Sequence, residues 1–347
     1  MESVAIYGGG NIAHSLAAVL SRYIPVKVFT RRPELWRDSL VFDQAGLVKK
    51  SKCPVVATAN INELVDVDTV FVALPQFALD EAVRKIGLNM KAGATIVFVP
   101  APAKSDRYAK TLLKRGLKVI GFQRVPFIAR IGDYGHSVSI SSPRTVYKLM
   151  VSDVSMELDW RRKCEKWFGG TVSYLSSFAS FAFSNSNPLL HPSRLYALLS
   201  DGDNGMYERC PLFYAEWTDV SSELYVEADK EMYKVFSKRE PSAALIDYES
   251  VLDHYEVSSP SELTHKIRSI TAFKSILAPW KTETGGCWIP DYESRYFTED
   301  IEYGTKVIQE YGDKAGIDTP IIDLMMSTIQ SRMAMFKYSQ SKGKVGL

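Results

Sequence analysis

Paired cysteines, a dominant charge and long apolar runs are all missing from this chain of 347 residues. Its cysteines, Cys53, Cys164, Cys210 and Cys287, are scattered, with no CxxC pair and no histidine at ligand spacing. Neither a disulfide framework nor a zinc site is expected, and "DGDNG" lacks the spacing and final glutamate of a calcium loop, so no metal is expected. The cysteine pattern suits a reducing compartment. Lys and Arg number 42 against 40 Asp and Glu, a formal charge of +2. That balance argues against nucleic acid or an acidic membrane surface as partner. No run approaches the roughly 18 apolar residues of a membrane span. The N-terminus runs from Met1-Glu2 straight into "SVAIYGGG", without the basic and apolar regions of an export signal. A cytoplasmic protein is expected.

A content of 46% hydrophobic, 24% charged and 12% aromatic residues describes a globular chain long enough for two domains. Short β-branched runs, "VAIYG" (4–8), "VKVFT" (26–30), "TVFVAL" (69–74), "TIVFVP" (95–100) and "KVIGF" (118–122), alternate with amphipathic helices. That alternation predicts an open sheet covered by helices on both sides. After "TVSYL" the periodic pieces are helical, near 192–200, 218–238, 242–255, 261–275, 298–315 and 320–336. The predicted fold is an α/β N-terminal dinucleotide-binding (Rossmann-type) sheet domain, residues 1–175, followed by a mostly α-helical C-terminal catalytic or substrate domain, residues 176–340.

"YGGGNIAH" places Gly8-x-Gly10-x-x-Ala13 between the first strand and the first helix. Gly8 would permit a tight turn, Gly10 would let the backbone approach a pyrophosphate, and Ala13 would let helix and strand pack closely. The amides of Asn11 and Ile12 would then face the phosphates at a helix N-terminus. A dinucleotide site selective for NADH usually carries an acid at the end of its second strand. Here Thr30, Arg31 and Arg32 stand there, and Glu34 comes only after a proline, so NADPH is expected over NADH, with the arginines holding a 2′-phosphate. Pro75, at the exit of the third strand, is a candidate wall beside the nicotinamide half.

A nicotinamide enzyme needs protons managed beside the hydride. Of the histidines, His14 falls on the first helix, His136 in a Gly-rich turn, and His254 and His265 on charged helical pieces. His191, in "NSNPLLHPSRLY", precedes Pro192, which predicts a helix starting at the proline and leaves open whether His191 is a chemical group or a cap. "WIPDYESRYFTEDIEYG" carries Arg295 and Asp300 among aromatics; Asp300 fits a helix cap as well as a cleft, and Arg295 an ordinary ion pair.

The front glycines, "NSNPLLHPSRLY", "FYAEWTDVSSELYVEADKEM", "IPDYESRYFTEDIEYG" and "AGIDTPIIDLM" together resemble the octopine/nopaline, or opine, dehydrogenase family over nearly the whole chain, including members that make opine metallophores. The resemblance implies an oxidoreductase acting on CH–NH bonds, which joins an α-keto acid to the amino group of an amino acid or related amine and reduces the imine. It implies that His191 is the catalytic histidine, Asp300 its acidic partner and Arg295 the grip on a substrate carboxylate. Asn187 and Gln123 become candidate hydrogen-bonders to substrate or cofactor. Glu302 and Thr305 depart from the family's usual proline and leucine, which bears on pocket shape. Asp201, Asp203 and Glu208 are candidates to attract a cationic amine. A ketopantoate-reductase-like NADPH enzyme and a non-catalytic nucleotide-binding protein are the rival readings. A homodimer is possible, as the commonest soluble assembly.

Overall fold

A computed structural model describes residues 2–44, 51–201, 205–283 and 286–343. The chain divides into two compact units, Met1–Phe181 and Ala182–Leu347. The first contains, in order, β1 (Val4–Tyr7), α1 (Asn11–Leu20), β2 (Val26–Phe29), β3 (Ser39–Gln44), β4 (Ser51–Pro54), β5 (Val56–Thr58), β6 (Thr69–Val72) and α2 (Leu79–Asn89). It continues with β7 (Thr95–Phe98), α3 (Ser105–Leu113), β8 (Lys118–Phe122), β9 (Phe127–Ile131), β10 (Ser137–Pro143), β11 (Val146–Val151), α4 (Glu157–Phe168) and β12 (Thr171–Tyr174).

Eight strands form one sheet in the order β12-β11-β8-β7-β6-β1-β2-β5. From β5 to β8 every pairing is parallel, and β11 then runs antiparallel to β8. The parallel part has the order of a doubly wound dinucleotide-binding sheet, which reverses between β1 and β6. All four residues of β6 and of β7 are buried, which explains their unbroken apolar runs. One face is covered by α2 and α3 together with Phe178 and Phe181, and those two rings keep the chain with the sheet beyond residue 175.

The other face differs from the simple layer of helices that the sequence suggests. A second sheet, β4-β3-β10-β9, shares a core with α1 and α4. Helix α1 packs on both sheets, so Ala13 to Leu20 are buried without interruption. A helix apolar all round is what such a double covering requires.

Short helix α5 (Ser180–Phe183) precedes the second unit's α6 (Asn187–Ser200), α7 (Asp219–Arg239), α8 (Pro241–Asp247), α9 (Val251–Tyr255) and α10 (Pro260–Ser269). A hairpin of β13 (Trp280–Thr282) and β14 (Trp288–Pro290), a π-helix over Tyr296–Thr305, α11 (Lys306–Ala315) and α12 (Pro320–Gly343) complete it. Helix α6 packs against α7, α12 and the π-helix, and every residue from Pro188 to Leu195 is buried. Two buried acids of α7 serve as caps. Asp229 accepts from Val251 N at 3.0 Å, and Glu231 from Ile321 N and Ile322 N at 2.8 and 3.0 Å.

The expected helix start at Pro192 is corrected: α6 begins at Asn187, with Pro188 in its first turn and Pro192 inside. A proline inside a helix deprives the carbonyl four residues earlier of its N–H donor. That carbonyl belongs to Pro188, and the buried Thr305 hydroxyl donates to it at 2.6 Å. The helix therefore tolerates Pro192 because the π-helix supplies the missing donor. Gly304 permits this approach, since an added Cβ would lie 2.7 Å from Pro188 Cγ.

Candidate functional site

In the first unit the glycine loop leaves β1 at the point where the strand order reverses. Gly8 has φ +146°, and a Cβ there would collide with the Ala73 carbonyl, so only glycine fits beside the exit of β6. Gly10 is the N-cap of α1 and brings no side chain to the helix amides. Asn11, which could have reached them, instead accepts from Ile131 N at 2.9 Å. A Cβ on Gly10 would meet nothing within 4 Å, so open space adjoins this uncapped helix end, with Ile12 half-buried and Ala13 fully buried behind it. This arrangement fits a dinucleotide's pyrophosphate.

Behind the loop, His14 is completely buried. Gly135 N–H donates to its Nε2 at 2.8 Å, so Nδ1 carries the proton and donates to Gly10 O at 3.0 Å. Burial lowers its pKa from 6.5 to about 4. His14 is thus a neutral strut between the glycine loop and the turn joining β9 to β10. From that turn Tyr134 lies 3.3 Å from the Thr30 hydroxyl, and its hydroxyl fills the space a side chain on Gly9 would need. Arg31 and Arg32 are exposed, and the Arg32 guanidinium lies 4.6 Å from the centre of the Tyr134 ring, a cation–π stack. Pro75 is exposed after β6, and Gln123 is half-buried just beyond β8, its backbone N–H donating to Lys148 O at 2.9 Å.

In the second unit the centre is His191, 7% exposed within α6. Its Nδ1 lies 2.8 Å from Asp300 Oδ2 and its Nε2 2.9 Å from the Tyr214 hydroxyl. Of the two readings open for Asp300, the helix cap does not hold, because Asp300 lies inside the π-helix, a geometry that recurs at functional sites. Tyr296 packs its ring 4.5 Å from the imidazole and Phe213 packs edge-on at 5.6 Å. Tyr214 stacks on Phe273 at 4.3 Å and exchanges a hydrogen bond with Tyr296. Burial, reinforced by neighbouring phenols and Asp300, pushes the Tyr214 pKa far above its ordinary value; burial and then Asp300 raise that of Tyr296. Both phenols therefore remain protonated donors near neutrality. A carboxylate on Nδ1 fixes the ring and its tautomer, which leaves Nε2, bonded to the Tyr214 hydroxyl, as the nitrogen that can trade a proton.

The other expected residues are not drawn into this network. Arg295, 81% exposed, pairs with Glu299, its Nε donating to Oε2 at 2.9 Å. Asn187 is exposed in the first turn of α6, one turn before His191. Asp201 and Glu208 line a cavity of about 680 Å³ with Arg194, Tyr207, Arg209 and Glu216, while Asp203 lies outside the described residues. Neither His191 nor Asp300 lines that cavity. Among the described residues no cluster has the makings of a metal site, and no helix is long and apolar enough to cross a membrane. Tyr214, Tyr296 and His14 carried no signal as partners in the sequence; only their types, a phenol or an imidazole amid aromatics, could have hinted at them.

A doubly wound sheet with an uncapped glycine loop, joined to a helical unit, is the architecture of a two-domain dinucleotide-binding protein. Residues 174–333 match the family described as NAD/NADP octopine/nopaline dehydrogenase, alpha-helical domain. Tauropine dehydrogenase of Arabella iricolor is 24% identical, covering 96% of this chain and 92% of that protein. The solved structure of octopine dehydrogenase with NADH and L-arginine has a TM-score of 0.84 at 21% identity, covering 96% of this chain and 90% of that one. Yersinopine dehydrogenase with NADP+ bound has a TM-score of 0.71 at 13% identity, covering 100% of this chain and 93% of that one. Residues 174–333 thus belong with the α-helical domain of the octopine/nopaline (opine) dehydrogenases, and the chain as a whole resembles these enzymes in sequence and fold.

These comparisons correct the expected preference for NADPH. The more similar structure holds NADH, and NADP+ occurs in the more distant one. Arg32 has another occupation in the structure, lying across Tyr134.

Proposed function

We propose that this protein condenses an α-keto acid with the amino group of an amino acid or related amine and reduces the resulting imine, with His191 and Asp300 as its proton-handling pair. The 2.8 Å contact between His191 Nδ1 and Asp300 Oδ2, in a chain that resembles these enzymes, carries the proposal. A reduced nicotinamide dinucleotide, its pyrophosphate on Gly8, Gly10 and the first amides of α1, supplies the hydride when bound. Thr30 and Pro75 adjoin the same strand ends.

Asp300 holds Nδ1–H and stabilises the imidazolium. His191 Nε2 then gives a proton to the oxygen that leaves as water during condensation and takes it back in the reverse direction. Burial among Phe213, Tyr214 and Tyr296 excludes water and strengthens each of these electrostatic interactions. Arg295 exchanges Glu299 for the keto-acid carboxylate, which its planar fork fits. Asn187 and Gln123 take a supporting part, hydrogen-bonding substrate or cofactor.

The test follows oxidation of NADH and of NADPH while pyruvate, glyoxylate, oxaloacetate and 2-oxoglutarate are crossed with amino acids and polyamines. L-arginine, bound in the octopine dehydrogenase structure, heads the amines. Turnover requiring both a keto acid and an amine is expected. Equal reduction of the keto acid with no amine present would overturn the proposal.

A further inference from the structure

We propose that Tyr214 is a positioning residue for His191, holding Nε2 by its hydroxyl and, with Tyr296 as second partner, keeping that bond through both protonation states of the imidazole. This rests on the reading of His191 as the proton-handling group. The neutral ring donates from Nδ1 to Asp300, and its Nε2 lone pair accepts from Tyr214 O–H at 2.9 Å. Once Nε2 is protonated it must become the donor. The Tyr214 oxygen can accept, provided its own hydrogen turns elsewhere, and Tyr296 offers the place. No proton is gained or lost in the switch; one hydroxyl rotates.

The surroundings leave Nε2 few alternatives. Tyr214 is itself 5% exposed and clamped by Phe213 at 4.8 Å and Phe273 at 4.3 Å. Asp300 and Tyr296 face the pair from the π-helix, Tyr255 of α9 and Tyr225 of α7 face Tyr214, and α12 presents Met325 to Ser193 of α6. Asp300 is the only carboxylate among these groups, and it is spent on Nδ1. An imidazolium without Tyr214 would therefore lose the oxygen that its Nε2–H meets among the described residues. With Tyr214 in place, a substrate oxygen must compete with a phenol for that hydrogen. An oxygen that develops negative charge wins that competition.

Charge-assisted hydrogen bonds are roughly twice as strong as neutral ones, so Tyr214 favours the protonated ring. Tyr214→Phe should change the Nε2 ¹⁵N shift of the His191 imidazole in the substrate-free protein, the signature of a hydrogen bond lost at that nitrogen. It should also lower kcat by about tenfold, with KM for the keto acid changed less than about twofold. Tyr296→Phe should move both in the same direction by less, and it serves alone if Tyr214→Phe fails to fold. An unchanged Nε2 shift in a folded variant would overturn the proposal. The imidazole shift needs no turnover, so an enzyme inert toward every keto acid and amine pair sinks the proposed function, whereas turnover with an unchanged Nε2 shift sinks the role of Tyr214.

Discussion

His14 and His191 are both buried and both bonded at each ring nitrogen, yet the structure prepares them for opposite ends. The partners of His14 are backbone, a carbonyl that can only accept and an amide that can only donate. Together they dictate one tautomer and penalise any added proton. The partners of His191 are a carboxylate and a phenol, which can accept or exchange protons. Burial alone does not make a histidine catalytic or inert; the donor and acceptor character of its neighbours does.

The largest effects should separate the two in rate. His191→Gln should lower kcat by about 10²–10⁴-fold, and Asp300→Asn by a large part of that, because the ring loses its orientation and the stabilisation of its charged form. His14→Gln, assayed with saturating cofactor, should leave kcat within about tenfold of the wild type. If it instead matched His191→Gln in a folded protein, the comparison would collapse.

Stability should separate them next. The unfolded chain takes up a proton on His14 near pH 6.5, while the folded protein resists until about pH 4. Its contribution is present above pH 6.5, declines as pH falls through that window, and is lost below about pH 4. The linkage amounts to about 3 kcal/mol. Urea unfolding at stepped pH values should show this decline in the wild type and a flatter slope in His14→Gln; identical slopes would refute the neutral strut. The smallest effect tests the support of His191. Thr305→Val leaves the Pro188 carbonyl without its donor and should cost about 1–3 kcal/mol, visible as a lower Tm, whereas Thr305→Ser should retain most of it.

Much of the first unit was legible, because strands buried on both faces write themselves as continuous apolar runs, as β6 and β7 do. The second sheet was not. Strand β9 alternates buried and exposed residues around Arg130, and β10 is a string of serines, so neither looks like core until α1 supplies the other wall. The helix start at Pro192 was misjudged because the rule that a residue before proline avoids helix is local, while the compensation by Thr305 is not. The NADPH preference failed for a similar reason: two arginines show charge, but not that the Arg32 guanidinium lies across Tyr134.

Sequence alone determined the alternation of strand and helix, the Gly8-x-Gly10-x-x-Ala13 turn and, through family likeness, the pairing of His191 with Asp300 as a candidate. These are matters of periodicity, of glycine's backbone freedom and of motif. Tertiary structure alone decided that Tyr214 occupies Nε2, that Gly135 locks His14 from 121 residues away, and that Thr305 completes a helix 117 residues earlier. Hydrogen bonds have lengths of about 3 Å whatever the intervening chain, and only folding brings such donors and acceptors within that reach.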